Sequence, residues 1–199
     1  RDHQRYFAVR SSEAGPLLPA YLNVVNTALD PTTIATGNDR VLRARLADAR
    51  FFVEEDLKAP LADRLQKLDS VVFQSKLGTM GAKVRRLEKN ANTIAEWAGT
   101  DAAACQAAAR ICKADLETLI VFEFPELQGE MGRWYALREG MEPAVADAIR
   151  DHYRPQGADD GVPEQLVSAV IAVADRIDTL VGCFGIGLVP SGSADPFAL

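Results

Sequence analysis

The spacing of apolar residues changes character near residue 40. Before it, Arg5-Tyr6-Phe7-Ala8-Val9-Arg10 is a short β-favouring run, and residues 11–16 form a Ser/Gly/Pro turn cluster. Residues 17–26 can supply a returning strand. An isolated hairpin is marginal in water, so residues 1–38 are expected to be a hairpin segment and linker from a neighbouring domain. Asp30-Pro31 and Gly37-Asn38-Asp39 punctuate that linker.

From Val41 the period becomes helical. Leu42, Leu46, Ala49 and Val53 fall at i, i+4, i+7 and i+11, one face of a helix. Arg40, Arg43 and Arg50 lie on a neighbouring face, with Arg45 nearby. Residues 56–68 predict a further helix with Pro60 near its start. Residues 78–98 put Val84, Leu87, Ala91, Ile94, Ala95 and Ala98 on one stripe, flanked by Lys83, Arg85, Arg86 and Lys89. Asp101 reads as the N-cap of an Ala-rich helix over 102–112 that continues into 114–117. Helices are expected at 129–137, 143–152 and 165–180, with a Gly/Pro/Asp-rich loop over 154–163. The fold class is mainly α: a helical bundle over 39–199 preceded by a short β-hairpin segment.

Composition narrows the class. The 199 residues are 48% hydrophobic and 25% charged, an ordinary globular balance. No apolar run approaches the ~20 residues of a membrane helix. Cys105, Cys112 and Cys183 are an odd number with no CxxC pair, which speaks against a disulfide scaffold or zinc ribbon. The start shows no signal pattern, so a cytoplasmic location is expected. The absent initiator Met and the abrupt end suggest a piece of a longer chain.

Charge is informative once divided. Residues 1–39 have net charge −1, and residues 40–90 carry twelve basic against seven acidic groups, net +5. Residues 91–199 carry seven against seventeen, net −10. Such asymmetry raises nucleic acid as a partner; solvated helix faces are the plainer alternative.

Little in the chain suggests a catalytic centre. His3 and His152 are the only histidines, and His152, near a helix end, suits capping or packing. Cys105 and Cys112, seven apart, read as buried small hydrophobes. Residues 182–187 contain a Gly-x-x-Gly-x-Gly run that lacks the GK[ST] ending of a phosphate loop, which predicts a tight helix-to-loop turn. Glu123/Glu126 and Asp175/Asp178 are i, i+3 acid pairs, expected to be solvated.

Several long segments carry a resemblance. They are residues 1–7 (RDHQRYF), 37–52 (GNDRVLRARLADARFF), 72–79 (VFQSKLGT), 113–116 (KADL), 123–132 (EFPELQGEMG), 174–180 (ADRIDTL) and 195–199 (DPFAL). In this order they resemble the β subunit of bacterial heterotetrameric glycyl-tRNA synthetase. The resemblance implies an internal fragment of an ATP-dependent glycine–tRNA ligase subunit whose main role is tRNA recognition. It also implies glycine activation on a separate α subunit, where ATP and Mg²⁺ are expected. No cofactor is expected in this fragment, no membrane is involved, and the partners are the α subunit and tRNA-Gly.

The helical part also resembles an HD-type domain. That family places metal ligands at an early His, a His-Asp pair and a late Asp. Here the early His would fall near Met80 or Gly81; the pair reads Ala114-Asp115, keeping only the Asp, and the late Asp matches Asp175. Two carboxylates without imidazoles make a poor transition-metal site, so the positions Ala114, Asp115 and Asp175 read as degenerate, with no metal and no catalytic residue expected. Arg40, Arg43, Arg45, Lys83, Arg85 and Arg86 are the RNA-binding candidates, from charge and helical spacing; some of them can instead pair with the acidic half. The alternatives are a working metal-dependent HD phosphohydrolase and a scaffold that only joins subunits.

Overall fold

The computed structural model describes residues 6–27, 30–157 and 159–190. The expectations resting on residues 1–5 and 195–199 lie outside these. The chain divides into two compact units, 1–50 and 51–199.

In the first unit, β1 (Tyr6–Arg10) and β2 (Leu17–Asn23) pair antiparallel, Tyr6 opposite Asn23 and Arg10 opposite Leu17, with a register shift between Ala8 and Arg10. The Ser11 N–H donates to the Pro16 carbonyl at 3.1 Å across the turn. The long helix α1 (Pro31–Asp56) starts at Pro31, not near Val41. The Asp30 carboxylate accepts the Thr33 N–H at 3.2 Å, and Pro31 stands in the first turn, where its missing N–H costs nothing. Asp30-Pro31 is therefore a helix start rather than linker punctuation. Gly37-Asn38-Asp39 lie inside α1, where Asn38 donates its amide to Asn23 Oδ1 at 2.8 Å and accepts the Tyr6 hydroxyl at 3.3 Å. These bonds tie the helix to the hairpin.

In the second unit, the segment expected as one helix over 56–68 is split. α1 ends at Asp56, and a 3₁₀ helix follows over Leu61–Asp69, after Pro60. Proline disfavours helical backbone at the residue before it, which separates the two. A small hairpin, β3 (Val72–Gln74) with β4 (Gly78–Thr79), leads into α2 (Met80–Ala98). Thr79 caps α2 by accepting the Ala82 N–H at 3.1 Å, and Gly99 ends it at φ +64°. Asp101 caps α3 (Ala102–Ile111) through the N–H groups of Ala103 and Ala104, at 2.9 and 3.0 Å. A 3₁₀ turn over Ala114–Glu117 then precedes α4 (Leu119–Glu123), α5 (Glu130–Arg138), α6 (Pro143–Asp151) and α7 (Leu166–Gly185).

α2 packs on α3 and α7, while α6 packs on α3, α5 and α7. The contact surfaces are rich in alanine: Ala91, Ala95, Ala108, Ala109, Ala146, Ala148 and Ala174 are fully buried, with Leu87, Ile149 and Ile171 filling the space between them. The three cysteines are free and buried; burial pushes the Cys112 thiol up to about 12, so it packs as a small neutral group. Buried Asp56 gathers the N–H groups of Leu119 and Ile120, the Tyr135 hydroxyl and the Arg64 guanidinium within 2.8–3.3 Å. The acid thus serves as a second cap for α4. α7 runs past its expected end at 180, taking in Gly182–Gly185, and the helix-to-loop turn comes after it, with Gly187 at φ +84°.

Candidate functional site

The strongest concentration of buried charge lies where α2, α6, α7 and the end of α3 meet. Asp175 is its centre. Its Oδ1 meets the Lys83 ammonium at 2.7 Å and its Oδ2 meets the Lys113 ammonium at 2.8 Å. Lys83 reaches further, to Asp178 Oδ2 at 3.2 Å and Thr179 Oγ1 at 2.7 Å, and it sits over the Phe73 ring. Asp178 also receives Arg86 through two bonds, at 2.6 and 3.1 Å. Lys113 lies over the Tyr153 ring and donates to His152 Nε2 at 2.8 Å. An ammonium can only donate, so Nε2 accepts and the ring proton sits on Nδ1, which donates to the Ile149 carbonyl at 2.8 Å.

The protonation states follow from this geometry. Burial and the neighbouring Lys113 ammonium drive His152 down to about 3, so the imidazole is neutral; an imidazolium meeting the helix dipole is excluded. Burial alone would raise Asp175, but Lys113 and Lys83 override it and hold the carboxyl well below the usual range. Asp115 has no cation in bonding contact. Its Oδ2 accepts the N–H groups of Gly129 at 2.6 Å and Gly132 at 3.2 Å, while Oδ1 is buried without a partner among the described residues. Burial therefore raises it to about 6 despite those bonds.

Two positions next to the HD-like ones thus carry cations. Lys113 stands immediately before Ala114-Asp115, and Lys83 stands two residues after Gly81. Their ammonium groups neutralise the carboxylate that a metal would otherwise need. At the early position, a side chain on Gly81 would place its Cβ 2.2 Å from Asp69 Oδ1 and 3.1 Å from the Asp69 backbone N, leaving no room for a ligand. Among the described residues no group of three or more His, Cys, Asp or Glu side chains is arranged to hold a metal ion. An open pocket of ≈ 540 Å³ borders the cluster, lined by His152, Tyr153, Asp175, Arg176 and Thr179 among others. Arg176 spends its donors on the carbonyls of Ala172, His152, Tyr153 and Pro155, closing the loop after α6 onto α7.

The basic candidates separate. Lys83 is 2% exposed and consumed by Asp175 and Asp178, so its expected role as a phosphate contact gives way to an internal ion pair. Arg86 is half-buried and committed to Asp178. Arg85 is exposed and pairs with Asp69 at 2.8 Å. On α1, Arg40, Arg43 and Arg45 are exposed, and Arg43 pairs with Asp39 at 2.6 Å. At about 100° per residue, Arg45 projects from the opposite side of α1 to Arg43, so the three do not form one patch. The acid pair Asp175/Asp178 is turned inward, not solvated. Lys113 was not singled out by sequence reasoning. The signal was faint: Lys113 closes an Ala/Cys/Ile-rich run whose other polar residues, Gln106 and Arg110, are exposed.

The sequence model for "Glycyl-tRNA synthetase beta subunit" matches residues 1–199. The chain belongs to that family. The glycine–tRNA ligase beta subunit of Phenylobacterium zucineum is 55% identical over the whole chain, that of Trichlorobacter lovleyi 52% and that of Geotalea uraniireducens 48%. The chain spans 29–30% of the length of these relatives. Four of the synthetase-like segments converge on the charge cluster: 72–79 is the β3–β4 hairpin with Phe73 under Lys83, and 113–116 holds Lys113 and Asp115. Segment 123–132 contributes Gly129 and Gly132, and 174–180 contributes Asp175, Asp178 and Thr179. In this synthetase beta subunit segment, therefore, these four motifs build the packing of the second unit, while 37–52 lies along α1.

Proposed function

We propose that this chain is a non-catalytic, tRNA-facing module of a glycine–tRNA ligase beta subunit. In this reading it helps position tRNA-Gly for a reaction whose ATP, Mg²⁺ and glycine are handled on an alpha subunit in the cytoplasm. The match of the family over all 199 residues carries the reading. What supports the non-catalytic part is the state of the two acids at the HD-like positions. Asp175 is charge-paired with two ammonium groups, and one oxygen of Asp115 accepts two peptide N–H groups. A phosphohydrolase would need both carboxylates free to ligate. The exposed cations among the candidates, Arg40, Arg43 and Arg45 on one unit and Arg85 on the other, are placed to meet phosphates without reading bases, Arg43 and Arg85 while also paired with Asp39 and Asp69. Among the described residues, no helix is long and apolar enough to cross a membrane.

The test is binding of the chain to tRNA-Gly and to an unrelated tRNA at two salt concentrations. Arg40→Ala/Arg43→Ala/Arg45→Ala is expected to weaken binding and flatten its salt dependence by about one unit of slope per lost contact. Lys83→Met serves as the contrast: it should lower stability and leave the salt slope unchanged. A triple variant that binds tRNA with unchanged slope would remove α1 from the interface, and no binding at low salt would favour a scaffold that only joins subunits.

A further inference from the structure

Among the described residues, nothing covers one apolar face of α7. Leu166, Val173, Ile177, Val181 and Phe184 are 43–67% exposed, and their spacings of seven, four, four and three put them on one side of the helix. At about 1.5 Å per residue the stripe is ~27 Å long. Both acids of α7, Asp175 and Asp178, point the other way, into the lysine cluster. Beside the stripe runs a groove of ≈ 500 Å³ between α2 and α7, lined by Leu77, Ile177 and Val181 together with Lys76, Arg86, Lys89 and one acid, Asp178. It reaches its depth because Gly182 lets Leu77 seat against α7; a Cβ at Gly182 would come within 2.9 Å of Leu77 Cδ1. Arg86 is spent on Asp178, but among the described residues Lys76 and Lys89 have no acidic partner and both are exposed.

We infer that the α2–α7 groove is a docking site for an acidic amphipathic helix from a protein partner. The partner's apolar residues at i, i+4, i+7 and i+11 lie along Val173, Ile177, Val181 and Phe184, and its flanking carboxylates meet Lys76 and Lys89. Charge complementarity selects the sign of the partner, because Lys76, Arg86 and Lys89 outnumber the one acid lining the groove, Asp178, which Arg86 and Lys83 already pair. The aliphatic stripe selects its class. Nucleic-acid phosphates could satisfy the two lysines, yet they offer nothing to bury the apolar face. A second copy offers no carboxylate for the lysines from its own α7 face, since both α7 acids are internal.

The experiment measures fluorescence anisotropy of the 199-residue chain with a labelled synthetic helix of about 18 residues, long enough to cover the stripe. The probe carries leucines at i, i+4, i+7 and i+11 and glutamates on both flanks. Comparison probes are the same peptide scrambled, the same peptide with lysines for the glutamates, and a single-stranded RNA of similar length. The acidic amphipathic peptide is expected to bind, and the other three much more weakly. Lys76→Glu/Lys89→Glu and, separately, Val181→Asp should each weaken it by about tenfold or more. All three positions are exposed, so both variants should keep the parent thermal midpoint. No binding of the acidic peptide, equal binding of the scrambled one, or unchanged affinity in either variant overturns the inference. So does RNA binding that depends on Lys76 and Lys89 but not on Val181, or self-association of the chain abolished by Val181→Asp.

Discussion

Replacing Asp175 by asparagine tests whether the helical unit is held together by its internal charges. The side chains of Lys83, Lys113 and Asp175 are only 3%, 6% and 15% exposed, so the pairs are barely screened by solvent. Removing one member of a buried ion pair costs about 3–5 kcal/mol, because the partner is left charged and unpaired. Here the two lysines fare differently. Lys83 keeps Asp178 at 3.2 Å and Thr179 at 2.7 Å, whereas Lys113 keeps the neutral His152 and the Tyr153 ring but no carboxylate. One ammonium, not two, is stranded, which places Asp175→Asn near the lower end, about 3 kcal/mol. For a chain of this size that lowers the thermal midpoint by roughly 6–12 °C. Urea unfolding at pH 7 should give a lower midpoint with an unchanged slope, since the surface exposed on unfolding is the same. The decisive comparison adds Lys113→Met. If the loss arises from a stranded ammonium, the double variant should regain about 1–2 kcal/mol over Asp175→Asn, a coupling of the kind neighbouring charges show. A double variant that is less stable than Asp175→Asn, by the full cost of Lys113→Met alone, would refute the ion-pair account and leave packing as the cause.

Two further perturbations read the same cluster. His152 is held at about 3 against an ordinary 6.5, so between those values the unfolded chain binds a proton that the fold does not. Stability should therefore fall as pH drops through that window, by at most about 1.4 kcal/mol per pH unit. Asp115 acts in the opposite sense: raised from 3.8 to about 6, it gives the fold the extra proton, so its contribution is gained as pH falls through 6. Urea midpoints at pH 7, 6, 5 and 4 should consequently fall more steeply in Asp115→Asn and less steeply in His152→Gln than in the parent; three parallel curves would contradict both assignments. Gly132→Ala should cost about 2–3 kcal/mol by overpacking, since its Cβ would lie 2.6 Å from Ile149 Cγ2 and 2.8 Å from Asp115 Oδ2, both inside the core. A variant within 0.5 kcal/mol of the parent (roughly the scatter of a neutral surface change) would show that this core can yield.

The fold was legible wherever one residue did one job. Asp101 before an Ala-rich run is a cap by type and place, and α5, α6 and α7 lie within a few residues of their sequence positions because their apolar periods are uninterrupted. The misreadings share a cause, residues with two possible uses. Asp30-Pro31 is equally a turn and an N-terminal cap, and only the Asp30–Thr33 bond decides between them. Gly37-Asn38 looks like a turn, yet Asn38 is worth more as a latch to Asn23 and Tyr6. The β3–β4 hairpin is shorter than any periodicity window, and the 3₁₀ segments read as α-helix because apolar spacing does not separate the two helical forms over so few residues.

Charge was the least legible property, for a reason that bears on function. A sum over residues 40–90 treats Lys83 and Arg86 as part of a basic surface, but the fold brings Asp175 and Asp178 from the acidic half to meet them. Pairing of this kind removes cations from the surface of one segment and anions from that of another, so both halves present less charge than their sequences contain. What remains outside is a redistribution: arginines on α1 and Arg85, and Lys76 and Lys89 beside an apolar groove. The i, i+3 spacing of Asp175 and Asp178 makes this possible. Three residues is less than one helical turn, so both carboxylates face α2 together, and a single buried ammonium, Lys83, binds them both. An acid pair of that spacing is thus ambiguous by itself. It becomes a prediction of internal pairing when the rest of its helix is apolar, as α7 is, because the helix then buries the side that carries the charges.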